Sequence, residues 1–163
     1  MEFLGNKKGQ GATEYLVLLA VVLVVAMVAI ALLLFFPEMT YDAKARESSA
    51  YWQGAAHPFA VLDHAESAGS TNLTLVVQNT EAEQKQLTVI DIGGNGVTGS
   101  LNLSDSQKFF SGGEKRALQI GLSNNCTSGN VYEYYINFTF SNADNTITNQ
   151  KQYGAKTLVG KCN

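Results

Sequence analysis

The chain has 163 residues, a formal net charge of −3 and charged side chains at only 15% of its positions. This length leaves room for one compact domain beside a membrane segment. A slightly acidic chain offers no basic field to hold nucleic acid, which excludes that class of partner. Asn, Ser, Thr and Gln make up for the scarce charges, and such a neutral polar surface suits an extracellular setting or close packing against copies of the chain.

An apolar run dominates the N-terminal part. Residues 15–36 contain no charged side chain. As a helix this run rises about 33 Å, enough to span the hydrocarbon core of a bilayer. Lys7 and Lys8 precede it and hold that end in the cytoplasm under the positive-inside rule, which sends the C-terminal part outward. The sequence therefore predicts one membrane-spanning helix.

The first nine residues differ from a conventional secretory signal. They end in a basic pair and a glycine, and they lack the apolar segment that such a signal places before its cleavage site. Here the charges come first, then Gly9, then the apolar run. A cut after Gly9 leaves the hydrophobic helix on the mature protein.

Residues 7–18, with the sequence KKGQGATEYLVL, resemble the class III signal peptide of archaeal type IV pilins. The core of that motif is Gln-x-Ser-x-Glu-x-x-x-Leu after a basic pair and a glycine. Gln10, Glu14 and Leu18 match it, and Ala12 stands where serine is usual. The layout of the rest of the chain also looks like these pilins.

The resemblance implies a pathway of processing and assembly. It implies cleavage between Gly9 and Gln10 by a prepilin peptidase. It further implies that the membrane-inserted precursor polymerises through its N-terminal helix into a homo-oligomeric helical filament, with a pilus assembly ATPase and a membrane platform as partners. The expected location is first the membrane and then the cell surface.

Glu14 stands at the entrance of the apolar run, where an unpaired carboxylate costs several kcal/mol. Cleavage creates a new α-amino group on Gln10, and Glu14 could pair with that amine in its own subunit or in the next one. The alternative is an interfacial glutamate that lipid headgroups solvate.

The helix is expected to continue beyond the membrane span. Pro37 interrupts the hydrogen-bond ladder and predicts a kink without ending the helix. Apolar or small residues then recur at helical spacing, which predicts one buried face up to about residue 56. The dipeptide His57-Pro58 marks the end of the helix. The members of this face are Tyr41, Ala45, Ser48, Trp52, Ala55 and Phe59.

After Pro58 the apolar pattern changes to a period of two, which predicts β-strands. Short strands separated by Gly, Asn and Ser turns favour an antiparallel sandwich or a small barrel. The predicted strands cover residues 59–62, 71–79, 86–92, 97–103, 117–122, 132–140 and 146–153, with a last one near 158–159.

We therefore predict an α+β fold with three parts. Residues 1–9 form the cleaved leader, and residues 10–57 form a helical stem that includes the membrane span 15–36. Residues 58–163 form an antiparallel β-sandwich head of the immunoglobulin-like kind.

Two kinds of covalent site are predicted in the head. Outside a membrane, the cysteine pair is expected to form one disulfide, whereas in a cytosolic chain the same residues would be free buried thiols. Asn-x-Ser/Thr sequons predict N-glycosylation of at least one asparagine, and the alternative is a bare polar strand surface. The cysteines are Cys126 and Cys162, and the sequon asparagines are Asn72, Asn102, Asn125 and Asn137.

Catalytic patterns are weak in this sequence. The glycine-rich stretches at 93–96 and 111–114 lack the Gly-Lys-Ser/Thr ending of a phosphate-binding loop and are interpreted as hairpin turns. His57 and His64 are interpreted as surface or packing residues, because their spacing forces no metal site. We expect neither a cofactor nor a metal, and we expect a protein that is not an enzyme.

The leading hypothesis is a structural subunit of an archaeal type IV adhesion pilus, with the helix in the filament core and a glycosylated β domain outside. One alternative is an archaellin-like subunit of a motility filament, which shares the helix-plus-sandwich plan. Another is a membrane-anchored surface binding module with a single span that never polymerises. The Gln-x-x-x-Glu motif and the length left after cleavage favour the pilus.

Overall fold

The computed structural model describes residues 10–163, except for the side chains of residues 10, 12 and 35–39. The predicted leader at residues 1–9, including Gly9, lies outside the described residues. Contacts divide the chain into two compact units that meet between Thr40 and Tyr41. Each unit is described by itself below.

The helical part consists of one long α-helix and a short π-helical turn. Helix α1 spans Gln10–Ala50 and continues past Pro37, as predicted. A π-helical turn follows at Tyr51–Ala55. The chain then becomes extended at Ala56, before the cis peptide between His57 and Pro58, so the predicted end of the helix is confirmed. The predicted kink at Pro37 stays a prediction.

The buried face of the upper helix agrees with the predicted stripe up to Trp52 and then departs from it. Ser48 and Trp52 are buried, whereas Ala55 is exposed and Ala56 is buried in its place. A π-helical turn holds more residues than an α-helical turn, because its hydrogen bonds run from i to i+5. The extra residue in the turn therefore shifts the next buried position from Ala55 to Ala56.

Within residues 10–163, nine strands form two antiparallel sheets. The first sheet has the order β1-β2-β6, and the second has the order β4-β3-β7-β8, with β5 added on β3 and β9 on β7. One sheet thus holds β1, β2 and β6, and the other holds β3, β7 and β8. This division of the strands between two sheets is that of an immunoglobulin-like sandwich. The strands are β1 Phe59–Glu66, β2 Asn72–Asn79, β3 Lys85–Gly94, β4 Val97–Asn102, β5 Phe109–Phe110, β6 Lys115–Gly121, β7 Val131–Asn142, β8 Gln150–Tyr153 and β9 Leu158–Lys161.

The core lies between the two sheets. The first sheet contributes Leu75 and Ile120, and the second contributes Ile90 and Phe138, all with no exposed surface. Trp52 adds the helix to this core and meets the ring of Phe138 edge to face at 6.1 Å between centroids. The alternation seen in the sequence therefore places the predicted apolar face inward, and the α+β plan with a β-sandwich head is confirmed.

Strand β1 is longer than predicted. It runs to Glu66 rather than to Leu62, because a register shift between Val61 and Asp63 lets the strand continue along β2. After this irregularity, His64 and Glu66 take the inward positions. Because these inward residues are polar, the second half of β1 lacks the apolar alternation by which a strand is predicted from sequence.

Two other expectations need correction. The strand expected at 146–153 begins only at Gln150, because residues 143–149 form a turn in which Asn145 and Asn149 have positive φ values of 55°. The turn at residues 111–114 is not a hairpin, since β5 pairs with β3 in one sheet and β6 pairs with β2 in the other. The Asn95-Gly96 turn is a two-residue hairpin loop between β3 and β4, as predicted.

The contact-based boundary differs from the boundary predicted at residues 57 and 58. Residues 41–57 group with the head because Ser48, Trp52 and Ala56 are buried in it. The predicted boundary follows the change from helix to strand instead. The upper part of the helix is thus structurally part of the head.

We expect Trp52→Ala to destabilise the head by about 3–5 kcal/mol, because it removes a large buried side chain and leaves a cavity. Trp52 is 1% exposed, and its ring packs so closely on Gly154 that a Cβ there would lie 2.5 Å from it. Urea unfolding of the detergent-solubilised full-length protein, followed by circular dichroism, measures the loss. Ser49→Ala, an exposed position on the same helix, is the control, and equal midpoints for both variants would contradict the expectation.

Candidate assembly segment and head sites

The lower part of helix α1 is an apolar surface that the chain itself leaves uncovered. Residues Thr13–Leu34 form a helix long and apolar enough to cross a membrane, and none of that span is buried. Leu18, for example, is 65% exposed. An apolar surface on all sides of a helix is stable only when lipid or other helices cover it. The predicted apolar helix is therefore present, at Thr13–Leu34 rather than 15–36, and its insertion into a membrane stays a prediction.

The predicted assembly residues lie at the start of this segment. Gln10 is the first residue of α1. Glu14 and Leu18 are exposed one helical turn apart, so they share a face. The predicted pairing of Glu14 with the α-amino group of Gln10 stays a prediction, as does the cleavage after Gly9.

A comparison with protein families finds one feature at this place in the chain. Residues 7–33 match the family model of the class III signal peptide. This match supports a type IV pilin-like or archaellin-like precursor, which a prepilin peptidase processes and a dedicated machinery assembles. Together with the apolar helix, it indicates a membrane-inserted precursor that is later exposed at the surface. A comparison with curated proteins finds no match.

Polar contacts fasten the upper helix to the head around its buried stripe. The backbone N–H of Val159 donates to the Ser48 hydroxyl at 3.1 Å, and this contact is buried. Lys44 forms an ion pair with Glu133 at 2.6 Å, and Glu47 forms one with Lys156 at 2.5 Å. Exposed ion pairs add at most about 1 kcal/mol each. Packing of Trp52 therefore contributes more to this attachment than the charges do.

The two cysteines form the predicted disulfide between Cys126 and Cys162. It joins the loop before β7 to the last strand, where Cys162 also donates from its backbone to the carbonyl of Asn130 at 2.9 Å. Closing a loop with a sequence separation of 36 stabilises the fold by roughly 4 kcal/mol on the chain-entropy estimate. The C-terminal strand is thus held by both covalent and hydrogen bonds.

Glu66 is a buried acid that the pattern of apolar residues does not single out. It is 1% exposed, and its Oε2 accepts a hydrogen bond from the Tyr134 hydroxyl at 3.0 Å, while Oε1 has no hydrogen-bond partner among the described residues. Burial raises the pKa of this carboxyl, and the Tyr134 hydrogen bond offsets part of the rise. The inward position of Glu66 follows from the irregularity in β1, which is why alternation alone could not reveal it.

Glu66 also lies beside the disulfide. One carboxylate oxygen and the sulfurs of Cys126 and Cys162 lie within 4.8 Å of one another. A metal ion binds cysteine as the thiolate, and sulfurs joined in a disulfide offer none. In this oxidised form the cluster is a packing arrangement around a buried acid.

Both histidines have structural partners, in agreement with their interpretation as surface and packing residues. The exposed His57 is 2.8 Å from the Thr80 hydroxyl through Nδ1. The half-buried His64 is 2.7 Å from the Tyr132 hydroxyl through Nδ1. Burial lowers the pKa of His64, and the nearby Asp63 partly opposes this shift.

The four sequons lie on different parts of the head surface. Asn72 begins β2, Asn102 ends β4 and Asn125 lies in the loop before the disulfide; all three are exposed. Asn137 is half-buried in the middle of β7. Their positions leave each asparagine at least partly accessible, and the occupancy of the sequons stays a prediction.

We expect Glu66→Gln to remove a pH-dependent cost of folding. The pKa of Glu66 is higher in the folded state than its ordinary value of 4.5, so above that value the unfolded chain ionises more readily and stability falls as pH rises. Glutamine does not titrate. The stability of the variant relative to the parent should therefore rise from about pH 4 upward and level off above the folded-state pKa.

Urea unfolding of the full-length protein between pH 4 and pH 8 measures this difference. Glu83→Gln changes a strongly exposed carboxylate and serves as the matched control. A stability difference between Glu66→Gln and the parent that does not vary with pH would show that the buried carboxyl is not the source.

Proposed function

We propose that this chain is a structural subunit of an archaeal type IV adhesion pilus and that it is not an enzyme. The mature subunit begins at Gln10 and polymerises through helix α1 into an extracellular filament used for surface attachment. The observation that supports this most is the coincidence of a class III signal peptide at residues 7–33 with a helix whose apolar side chains are uncovered at Thr13–Leu34.

The uncovered helix accounts for both stages of such a pathway. In the precursor, lipid covers the apolar side chains, and Lys7 and Lys8 keep the leader in the cytoplasm. After cleavage, the same side chains can be covered by the helices of neighbouring subunits. Because apolar burial contributes about 25 cal/mol per Å², a helix of this length is suited to leaving lipid only when other helices replace it.

Glu14 gives this association a fixed position. A carboxylate inside a dry bundle of helices needs an opposite charge or hydrogen-bond donors. The new α-amino group of Gln10 lies one turn away on the chain, and in a filament the equivalent group of a neighbour can also reach it. An electrostatic pair in an otherwise apolar core favours one register between subunits.

The head suits the outside of a filament. It has its own core and a disulfide, so it does not depend on the apolar helix for folding. Its surface carries few charges and many Asn, Ser and Thr residues, including the four sequons. An archaellin-like motility filament is the second candidate, since the class III signal peptide is compatible with both kinds of subunit.

We expect the mature protein to start at Gln10. Cleavage after Gly9 removes the basic leader and creates the amine that Glu14 is proposed to bind. Intact-mass measurement and N-terminal sequencing of protein isolated from cell surfaces test this. A mature chain that starts at Met1 would exclude the pilus proposal and favour the membrane-anchored module.

We expect Glu14→Ala and the isosteric Glu14→Gln both to abolish filaments, because each removes the charge that fixes the subunit register. Filaments sheared from cells and viewed by electron microscopy provide the readout, and circular dichroism of the purified protein checks that the head is folded. The control is Glu83→Ala, which removes an exposed acid of the head. Normal filaments from Glu14→Gln would refute the charge-pairing role, and shed protein without filaments in the parent would favour the non-polymerising module.

A further inference from the structure

The outer face of the second sheet carries two exposed tyrosines that the proposed assembly leaves unexplained. Tyr135 in β7 is 61% exposed and Tyr153 in β8 is 65% exposed. Their chain neighbours Tyr134 and Gln152 are buried on the opposite side of the sheet. We call the surface around the two exposed rings, formed by Tyr135, Asn137 and Tyr153, the tyrosine face.

The strand register places a sequon asparagine between these rings. Asn137 is the direct partner of Tyr153 across β7 and β8, and Tyr135 precedes Asn137 by two residues on the same side of β7. Directly opposite side chains have Cβ atoms about 4.5–5.5 Å apart, and diagonal neighbours are about 7–8 Å apart. A group attached to Asn137 therefore starts within reach of both rings.

The amide of Asn137 has no structural use in the residues that the model describes. No hydrogen bond from this side chain is present among residues 10–163, whereas the buried Asn79 donates to the carbonyls of Glu83 and Phe110 at 2.8 and 3.1 Å. On the other side of Asn137 lies Asp91, whose carboxylate already accepts from the Ser100 hydroxyl at 2.8 Å. The nitrogen of Asn137 is thus available for attachment.

A second sequon lies on the same side of the sheet. Val89 pairs with Asn102 on one side and with Thr139, the threonine of the Asn137 sequon, on the other. Asn102 is therefore about two strand spacings, or roughly 10 Å, from β7. The other two sequons lie outside the second sheet. Asn72 begins β2 in the first sheet, and Asn125 lies in the loop before β7.

We propose that an N-linked glycan on Asn137 lies over the tyrosine face and that its first sugars stack on Tyr153 and Tyr135. A pyranose ring presents a face of C–H groups, and the negative π face of an aromatic ring attracts such positively polarised hydrogens. Covalent attachment supplies a high effective concentration, so even a weak contact is populated. This inference deepens the proposed function, on whose extracellular location it rests, by adding N-glycosylation at the Asn137 sequon.

The attachment itself is a group transfer from a lipid-linked sugar phosphate. The amide nitrogen of Asn137 forms a bond to C1 of the sugar and loses one proton, while the bond between C1 and the phosphate oxygen breaks and the lipid phosphate leaves. Thr139 supplies the hydroxyl of the sequon on the same side of the strand. No oxidant or reductant is needed.

The test is a double-mutant cycle in full-length protein from a host that glycosylates the chain. Glycopeptide mass spectrometry first establishes whether Asn137 carries sugar. Urea unfolding of the parent, Tyr153→Ala, Asn137→Gln and the double variant then measures coupling. We expect Tyr153→Ala to raise the unfolding equilibrium constant on the order of threefold to tenfold more with the glycan than without it, comparable to an aromatic pair.

Two control variants distinguish stacking of the sugar on the Tyr153 ring from effects that any substitution in β8 has on stability. Tyr153→Phe keeps the ring and should keep the coupling. Lys151→Ala changes an exposed residue on the same side of β8 and should show no coupling to the glycan. An unmodified Asn137, or equal effects of Tyr153→Ala in both backgrounds, overturns the inference.

The outcome for the glycan is independent of the outcome for the filament. Filaments made of subunits with a bare Asn137 overturn this inference and leave the pilus proposal intact. A glycosylated Asn137 that is coupled to Tyr153 in a protein that never polymerises supports the inference and overturns the pilus proposal. Electron microscopy of sheared material, run on the same preparations, distinguishes these results.

Discussion

From Tyr15 to Leu34 helix α1 is apolar on every side, and none of the span Thr13–Leu34 is buried by the part of the chain that the structure describes. This constraint shapes the other features. An uncovered apolar helix needs lipid or other helices around it, so the chain cannot be a freely soluble monomer with this segment in water. It also means that the head has to fold without help from the lower helix. The sandwich core, the disulfide and the buried Trp52 supply that independent stability.

The single helix α1 therefore serves two environments. Its lower part has no charged side chain between Tyr15 and Phe36, whereas its upper part alternates a buried stripe with exposed Lys44, Arg46 and Glu47. In the upper part, Ser48 and Trp52 belong to the core of the head, and the π-helical turn aligns Ala56 with that core. The same helix thus joins a lower part whose apolar side chains are uncovered to an upper part whose apolar side chains are buried in the head.

Features that repeat along the sequence could be predicted, and features that depend on one irregular residue could not. The alternation of apolar residues in Tyr132–Phe140 correctly predicted strand β7. The helical spacing of buried residues through Ser48 and Trp52 correctly predicted the upper part of helix α1. The irregularity near Leu62 shifts the alternation of β1, so the inward position of Glu66 was missed. The short strand β5 was missed because two residues are too few to show an alternating pattern. Because β5 pairs with β3 and β6 pairs with β2, the turn at residues 111–114 connects the two sheets and is not the predicted hairpin. In the candidate sites, the signal peptide could be predicted because its chemistry requires particular residue types at fixed spacing. The disulfide could be predicted because the sequence holds just two cysteines, both in a part of the chain expected outside the membrane.

The tyrosine face and the lower helix are incomplete surfaces of different kinds. Between Tyr15 and Leu34 the described side chains offer apolar contact, which any lipid or apolar helix can satisfy, and Glu14 is the residue that we propose discriminates between partners. Tyr135 and Tyr153 instead flank the Asn137 amide, which makes no hydrogen bond with the described side chains, so the chemistry of their partner is restricted to what attaches to that amide. Burying two tyrosines against a neighbouring head would leave the polar Asp91 and Asn137 without water, at the cost of unpaired polar groups. A glycan attached to Asn137 is itself hydrated and can cover the rings while leaving Asp91 in contact with water, which is why we favour it over protein contact on this face.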